Sequence, residues 1–157
     1  MKKSKFLKKS LAMLLALMLV VAMIPLSASA ALPEGFDLSS IVLSETSNRN
    51  DGKIVDLGTG VNVKVSEKSE SIWLFTNEAL PAGAELRAKG ATSTVKEAEI
   101  TKDGVQLPLK DYMNSEKVIE LNLYDTTVSV NHVSATYTIK LEQVAGSTNT
   151  NIASVTA

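Results

Sequence analysis

The chain of 157 residues contains no cysteine, and this absence excludes several kinds of protein. Small secreted domains that depend on disulfides are excluded, as are thiol catalysis, cysteine-ligated zinc and iron–sulfur clusters. A lipid-modified N-terminal cysteine is excluded for the same reason. Stability must therefore come from a hydrophobic core, and the chain is long enough to form one in a single domain.

Histidine is almost as scarce, because His132 is the only one. A Ser-His-Asp hydrolase would have to use it as the general base. The sequence has no Gly-x-Ser-x-Gly segment to accompany it, and "SVNHVSA" places it near a strand end or turn, where a solvated histidine is ordinary. We therefore predict no catalytic residue, no cofactor and no metal site centred on His132.

The first thirty residues have the layout of a secretory signal peptide. A basic leader with five lysines and no acid precedes an apolar run from Leu11 to Ile24, and Pro25 follows. Small residues at 28–30 predict cleavage between Ala30 and Ala31. The alternative is a retained membrane anchor, but the apolar run is shorter than the roughly 20 residues of a membrane span. We expect a secreted, extracellular protein, either free or associated with the cell surface.

Removal of the leader changes the charge balance of the chain. The remainder holds eleven basic and seventeen acidic residues, a net charge of −6. A nucleic-acid partner requires a basic surface, and so does binding to an anionic membrane. The sequence therefore predicts neither partner for the mature chain.

Between residues 37 and 143 the apolar residues recur mostly with a period of two. This alternation is typical of half-buried antiparallel strands with one face on a core. The clearest apolar series are Val61/Val63/Val65, Leu86/Ala88, Ala98/Ile100, Ile119/Leu121/Leu123 and Tyr137/Ile139/Leu141.

Turn residues separate these strands. Asp103-Gly104 predicts a two-residue hairpin between "EAEITK" and "VQLPL". No segment after the leader keeps a helical apolar stripe, so we predict an all-β sandwich of antiparallel, immunoglobulin-like or Greek-key type with eight or nine strands. The predicted organisation is a signal peptide at 1–30, a short extension at 31–36, the sandwich at 37–144 and a flexible polar tail at 145–157.

Two short motifs carry a resemblance to a known family. "LSSIVLS" at 38–44 opens the predicted domain, and "TYTIKLE" at 136–142 closes it. This pattern resembles bacterial cadherin-like β-sandwich domains over about 105 residues. One departure is that the turn in "YMNSEKVIEL" lacks an expected glycine. The resemblance implies a non-catalytic spacer or binding module of cell-surface and exported proteins, and it implies no particular site.

The segment "SNRNDGKIVDLG" invites comparison with a calcium loop. Placing Gly52 at the sixth position of an EF-hand loop puts Arg49 at a ligand position and Gly58 where a bidentate carboxylate is needed. Asn-Asp-Gly is also a common turn sequence. We therefore predict a turn rather than a metal site.

Glu97 and Glu99 are the best candidates for a pair of catalytic carboxylates. Alternation puts them on one face of a strand about 6.6 Å apart, within the range that glycosidases use. Almost any Glu-x-Glu strand meets that condition, so we interpret them as part of a solvated sheet face.

The segment "SIWLFT" is apolar on both faces of its predicted strand. Ile72 and Leu74 should face one way, and Trp73 and Phe75 the other. The composition favours a strand covered on both faces, with the aromatics in the core. The alternative is an open aromatic strip that binds carbohydrate, which Tyr112 or Tyr124 could extend.

These observations predict an exported, non-catalytic module that serves in adhesion or as a spacer at the cell surface. The alternative is a module that binds carbohydrate or cell wall through Trp73 and Phe75. The partner would be a cell-wall glycan or another surface protein. Pairing of an unpaired edge strand with another chain is a further possibility, and the oligomeric state does not follow from the sequence.

Overall fold

The structure is a computed structural model that describes residues 32–145. The predicted signal peptide with its cleavage site at Ala30 and Ala31, and the polar tail from residue 146 onward, lie outside the described residues. Between residues 32 and 145 no helix has the length and apolar character that a membrane span requires.

Nine strands form the described part of the chain, and two sheets contain them all. The elements are β1 (Ser40–Ser44), a 3₁₀ turn (Arg49–Asp51), β2 (Lys53–Asp56), β3 (Val63–Ser66), β4 (Ser71–Thr76), β5 (Ala84–Ala88), β6 (Ala98–Ile100), β7 (Val105–Pro108), α1 (Leu109–Tyr112), β8 (Val118–Asp125) and β9 (Val133–Val144). The predicted all-β sandwich is confirmed.

The four-stranded sheet has the order β2-β1-β4-β7, and the five-stranded sheet has the order β3-β9-β8-β5-β6. Only the consecutive pairs β1–β2, β5–β6 and β8–β9 lie in the same sheet, so the other connections cross between sheets, as in Greek-key sandwiches. Strand neighbours are antiparallel with one exception, since β3 runs parallel to β9 from Val63 opposite Leu141.

The alternating residues point into a core between the two sheets. Leu86 and Ala88 on β5, and Leu121 on β8, have no solvent exposure. Burying a leucine side chain contributes about 1.5–3 kcal/mol, and a core of many such side chains lets the chain fold without disulfides. One series is shorter than predicted, because β3 begins at Val63 and leaves Val61 59% exposed.

The hairpin predicted at Asp103-Gly104 is wrong. A turn does form there, and the amide of Gly104 donates to the carbonyl of Thr101 at 3.1 Å. The strands that it joins belong to different sheets, however, because β6 pairs with β5 and β7 pairs with β4. The turn residues thus specify the reversal of the chain but not the partner strand.

The chain enters and leaves the sandwich at opposite ends. Near the entry, the hydroxyl of Tyr137 donates to the carboxylate of Asp37. Near the exit, the amide of Glu67 donates to the carbonyl of Val144, and the neighbouring Ser66 amide donates to Glu45 just after β1. β1 and β9 therefore both run from the entry end to the exit end.

Candidate functional site

Trp73 and Phe75 lie on the outer face of the four-stranded sheet. Ile72 and Leu74, which alternate with them on β4, are fully buried between the sheets. The predicted opposite orientation of the two pairs is confirmed. The preferred prediction of buried aromatics is right for Phe75, whose ring is buried, and wrong for Trp73, which is partly exposed. Neither ring belongs to the cluster between the sheets.

Phe75 is nevertheless only 3% exposed. Its cover comes from the turn before β7, where a Cβ added to Gly104 would collide with the ring. Gly104 has a φ of 89°, a conformation that only glycine adopts without strain. Phe75 therefore offers no free ring face to a ligand in this structure.

Arg49 completes the cover over Phe75. Its guanidinium lies 5.8 Å from the centre of the ring. Its nitrogen atoms donate to the carbonyls of Thr76 at 2.8 Å, Asn77 at 3.0 Å and Lys102 at 3.3 Å. Because these carbonyls lie at the end of β4, just after it, and in the turn between β6 and β7, the Arg49 side chain ties three parts of the sheet's rim together.

Trp73 is the aromatic residue that remains partly exposed. Its ring centre lies 6.3 Å from that of Phe75 with an angle of 19° between the planes, so the buried ring supports the indole from one side. Across the strands, Trp73 pairs with Ser44 on β1 and Gln106 on β7. The indole is thus held on a central strand, with polar neighbours on both sides.

A depression of about 600 Å³ opens at Gln106, the cross-strand neighbour of Trp73, and we call it the Gln106 depression. Trp73 does not line it, and Pro108 and Leu109 form its apolar part. Gln106 lines it and donates from Nε2 to Oγ of Ser71 at 3.0 Å. Its charged lining consists of Glu70 and Lys110. This sheet face therefore presents a partly exposed indole and, next to its neighbour Gln106, a depression with amide, hydroxyl, charged and apolar groups. Such a combination could bind a polyhydroxylated ligand.

The two tyrosines that could have extended the aromatic strip lie elsewhere. Tyr112 lies in α1 and donates from its hydroxyl to the carbonyl of Lys96 at 2.9 Å. Tyr124 lies on β8 in the other sheet. Of the aromatic residues considered for the strip, Trp73 is therefore the one that is partly exposed on this sheet face.

The outer face of the five-stranded sheet carries a cluster that the sequence analysis missed. Arg87 lies 4.1 Å from the ring centre of Tyr124 and contacts Glu85 at 2.5 Å and Glu97 at 3.4 Å. The Glu85 hydrogen bond raises the pKa of Arg87 despite its partial burial. Glu85 and Arg87 alternate on one strand, which could have indicated this pair, whereas Glu97 and Tyr124 come from distant segments.

Glu97 and Glu99 occupy different settings. Glu97 precedes β6 and accepts from the hydroxyl of Tyr124 at 2.5 Å, whereas Glu99 lies within β6, is exposed and pairs in register with Arg87. Burial, followed by the bond to Glu97, raises the pKa of Tyr124. Glu97 is thus engaged in a hydrogen-bonded cluster.

His132 is solvent-exposed in the turn between β8 and β9. Its backbone closes that turn, because its carbonyl accepts from the amide of Asp125 at 2.8 Å. A hydrogen bond from the Thr127 side chain is the main cause of a lowered pKa of Asp125, and the charge of His132 contributes little.

The turn interpretation of the Asn-Asp-Gly segment is confirmed. Asn48 accepts from the amide of Asn50 at 3.0 Å, and Asp51 accepts from the hydroxyl of Thr46 at 3.0 Å. Gly52 is required there because a Cβ would approach Val42 to 2.6 Å. Within residues 32–145, no three histidine or acidic side chains come together as metal ligands.

Comparison of the chain with family models, with curated proteins and with solved structures gives no match.

Proposed function

We propose that the protein is an exported, non-catalytic β-sandwich module that serves in adhesion or as a spacer at the cell surface. The observation that carries the proposal is the position of the chain ends of the sandwich, since Asp37 and Val144 lie at opposite ends of it. A module of this kind can be placed between two attachment points and hold them a strand length apart. The basic, apolar and small-residue segments of the first thirty residues support export.

The surroundings of the ionisable side chains agree with a non-catalytic role. Glu97 is bonded to Tyr124 and Arg87, and the exposed His132 contributes its backbone to a turn. The Glu97 side chain and the His132 backbone thus hold neighbouring segments of the fold together.

Export and placement at the surface are tested in the producing cells. We expect the chain in the medium or on the cell surface, with Ala31 as its first residue by N-terminal sequencing. A chain that stays in the cytoplasm with its first thirty residues attached would contradict the proposal. A spacer should also tolerate replacement of its sandwich by an unrelated sandwich of equal length, whereas an adhesive module should not.

A second candidate function is binding of carbohydrate or cell wall through Trp73. The partly exposed indole, whose cross-strand neighbour Gln106 lines the Gln106 depression, favours this candidate. Phe75 acts in it as a buried support for the indole rather than as a second platform. In this candidate, Ser71, Gln106 and Lys110 of the lining supply hydrogen-bond partners for sugar hydroxyls.

The test is retention of the purified chain on insoluble cell-wall polysaccharide. We expect Trp73→Ala to abolish retention and Gln106→Ala to weaken it. Ile54→Ala is the matched control, because Ile54 is a 68% exposed apolar residue on the edge strand of the same sheet. Equal retention of the native chain and Trp73→Ala would exclude the site, and the spacer role would remain.

A further inference from the structure

β9, the longest strand among residues 32–145, has one side on which no described strand pairs with it over more than half its length. β9 pairs with β8 from Val133 to Lys140, but β3 covers its other side only from Leu141 to Val144. Among residues 32–145, no strand pairs with the β3-facing side of residues 133–139. We call this segment the free edge of β9. Unpaired edges of this kind are templates for another chain.

The hydrogen-bond pattern shows which groups are unpaired. The amide of Leu141 donates to the carbonyl of Lys117 at 2.8 Å, while Lys140 is the register partner of Val118. In an antiparallel pair this makes Lys140 a non-hydrogen-bonded position, so its backbone groups point away from β8. By alternation, the amides and carbonyls of Thr136 and Thr138 also point outward, toward solvent.

The other sheet edges carry the features by which proteins prevent edge pairing, such as charge, proline or short length. β2 has Lys53 and Asp56, β3 has Lys64, β7 ends at Pro108, and β6 is only three residues long with Glu99 at its centre. The free edge, "VSATYTI", has no charged residue and no proline. It is the edge with the least protection against pairing.

We propose that the free edge of β9 is a self-association surface, on which two copies pair their β9 strands antiparallel about Thr136. The two five-stranded sheets then form one continuous sheet across a two-fold axis. Two-fold dimers are the commonest symmetric assemblies, and each copy contributes the same patch.

A second copy fits this edge because the segment is complementary to itself. Centred on Thr136, residues 133–139 of one copy align with 139–133 of the other, and the segment ends where β3 begins to cover the strand. Thr136 then faces its own counterpart, Ser134 lies across from Thr138, and the paired segments carry no charge, so no like charges within them face each other. Ser134 forms a bulge in β9, and Val133 beyond it pairs with Tyr124 and lies on the outer face, so residues 135–139 are the regular part of the pairing.

Two matched charge variants test this register. Ser134→Lys with Thr138→Lys places like charges opposite each other across the axis, and we expect loss of the dimer in sedimentation equilibrium. Ser134→Glu with Thr138→Lys places opposite charges there, and we expect the dimer to persist. Both variants remove the same bond from Ser134 to the carbonyl of Leu123, so the difference between them reports the interface.

Amide hydrogen exchange on the native chain gives an independent measure that needs no variant. The amides of Thr136 and Thr138 should exchange rapidly at low protein concentration and at least about tenfold more slowly once the dimer is populated. Native chain that stays monomeric at its highest soluble concentration would overturn the proposal. A dimer in which these two amides are not protected would overturn it as well.

The uncharged segment "NIASVTA" at 151–157 is the competing occupant of the free edge. Ile152→Pro with Val155→Pro prevents that segment from pairing as a strand. We expect this variant to dimerise as the native chain does. If it becomes monomeric, the edge takes the tail of another copy and the β9–β9 pairing is wrong.

Discussion

On the outer face of the four-stranded sheet Arg49 lies over Phe75, and on the outer face of the five-stranded sheet Arg87 lies over Tyr124. The partners of the two arginines differ. Arg49 donates to three backbone carbonyls, whereas Arg87 donates to the carboxylates of Glu85 and Glu97 and reaches one carbonyl at 3.4 Å.

The two sets of partners explain why the outer face of the four-stranded sheet is covered at Phe75, whereas that of the five-stranded sheet stays in contact with water. We call the first the closed face and the second the solvated face. Backbone carbonyls cannot move away without unfolding their turns, so Arg49 fixes the cover over an apolar ring. Carboxylates on part-exposed side chains remain in contact with water, so Arg87 joins a polar surface cluster of modest energy. The closed face leaves Trp73 as its partly exposed aromatic residue.

The largest effect is expected from a change in the cover over Phe75. Gly104→Val introduces a side chain where φ is 89° and where the ring of Phe75 occupies the space. We expect the free energy of unfolding to fall by about 3 kcal/mol, since strain and overpacking each cost roughly 1–3 kcal/mol. Urea unfolding followed by the fluorescence of Trp73, the only tryptophan, measures it.

Gly60→Val is the matched control for that change. Gly60 has a φ of 65°, but a Cβ there would meet no atom within 4 Å. The free energy of unfolding of Gly60→Val should therefore fall only by the cost of the strained backbone conformation, about 1 kcal/mol. Equal losses at the two glycines would show that packing of the turn on Phe75 contributes nothing.

Truncation of the two arginines tests the comparison itself. Arg49→Ala should cost about 2 kcal/mol, because it removes charge-assisted bonds to carbonyls and uncovers Phe75. Arg87→Ala should cost about 1 kcal/mol or less, because its carboxylate partners return to water. Urea unfolding at low and at 1 M salt compares the two.

The salt dependence of the stability loss should also differ between Arg49→Ala and Arg87→Ala. The cost of Arg87→Ala should shrink at high salt, since ions screen its pairs with Glu85 and Glu97. The cost of Arg49→Ala should change little, because its partners carry no net charge. Equal salt dependence at both sites would remove the distinction between a closed and a solvated face.

Local sequence patterns predicted the strands that alternate strictly, and the face on which each side chain lies. They predicted β5, β8 and the opposite orientations of Leu74 and Phe75, because alternation is a property of the strand itself. They did not predict the change of sheet at Asp103-Gly104, or the parallel pairing of β3 with β9. Strand partners depend on distant segments, about which a turn sequence carries no information.

The candidate site shows the same limit. The sequence indicated Trp73 and Phe75 together, but the exposure of each ring depends on Gly104 and Arg49, which follow and precede them at a distance in the chain. The missing glycine in "YMNSEKVIEL" is a further example. Lys117 occupies the left-handed position there with a φ of 62°, and Asn114 accepts from the amides of Glu116 and Val118 to hold the turn.

The smallest expected effect concerns Tyr124, the aromatic residue of the solvated face. Burial and the bond to Glu97 raise its pKa, and burial and Asp37 do the same for Tyr137. A tyrosine in the unfolded chain loses its proton near pH 10. The unfolded state therefore binds fewer protons than the native state above that pH, so the free energy of unfolding should fall as the pH rises. This stabilising contribution is complete below pH 10.

Tyr124→Phe and Tyr137→Phe should each make that alkaline decline shallower, and the double variant should make it shallower still. Urea unfolding from about pH 9 to pH 11.5 gives the slopes, which are compared instead of the absolute stabilities because each variant also loses a hydrogen bond at neutral pH. On the closed face, Arg49 and no carboxylate covers Phe75. A phenylalanine has no proton to lose, so Phe75 contributes nothing to the alkaline decline. A Tyr124→Phe slope equal to that of the native chain would place Tyr124 in water, and the two faces would then differ in their arginine partners alone.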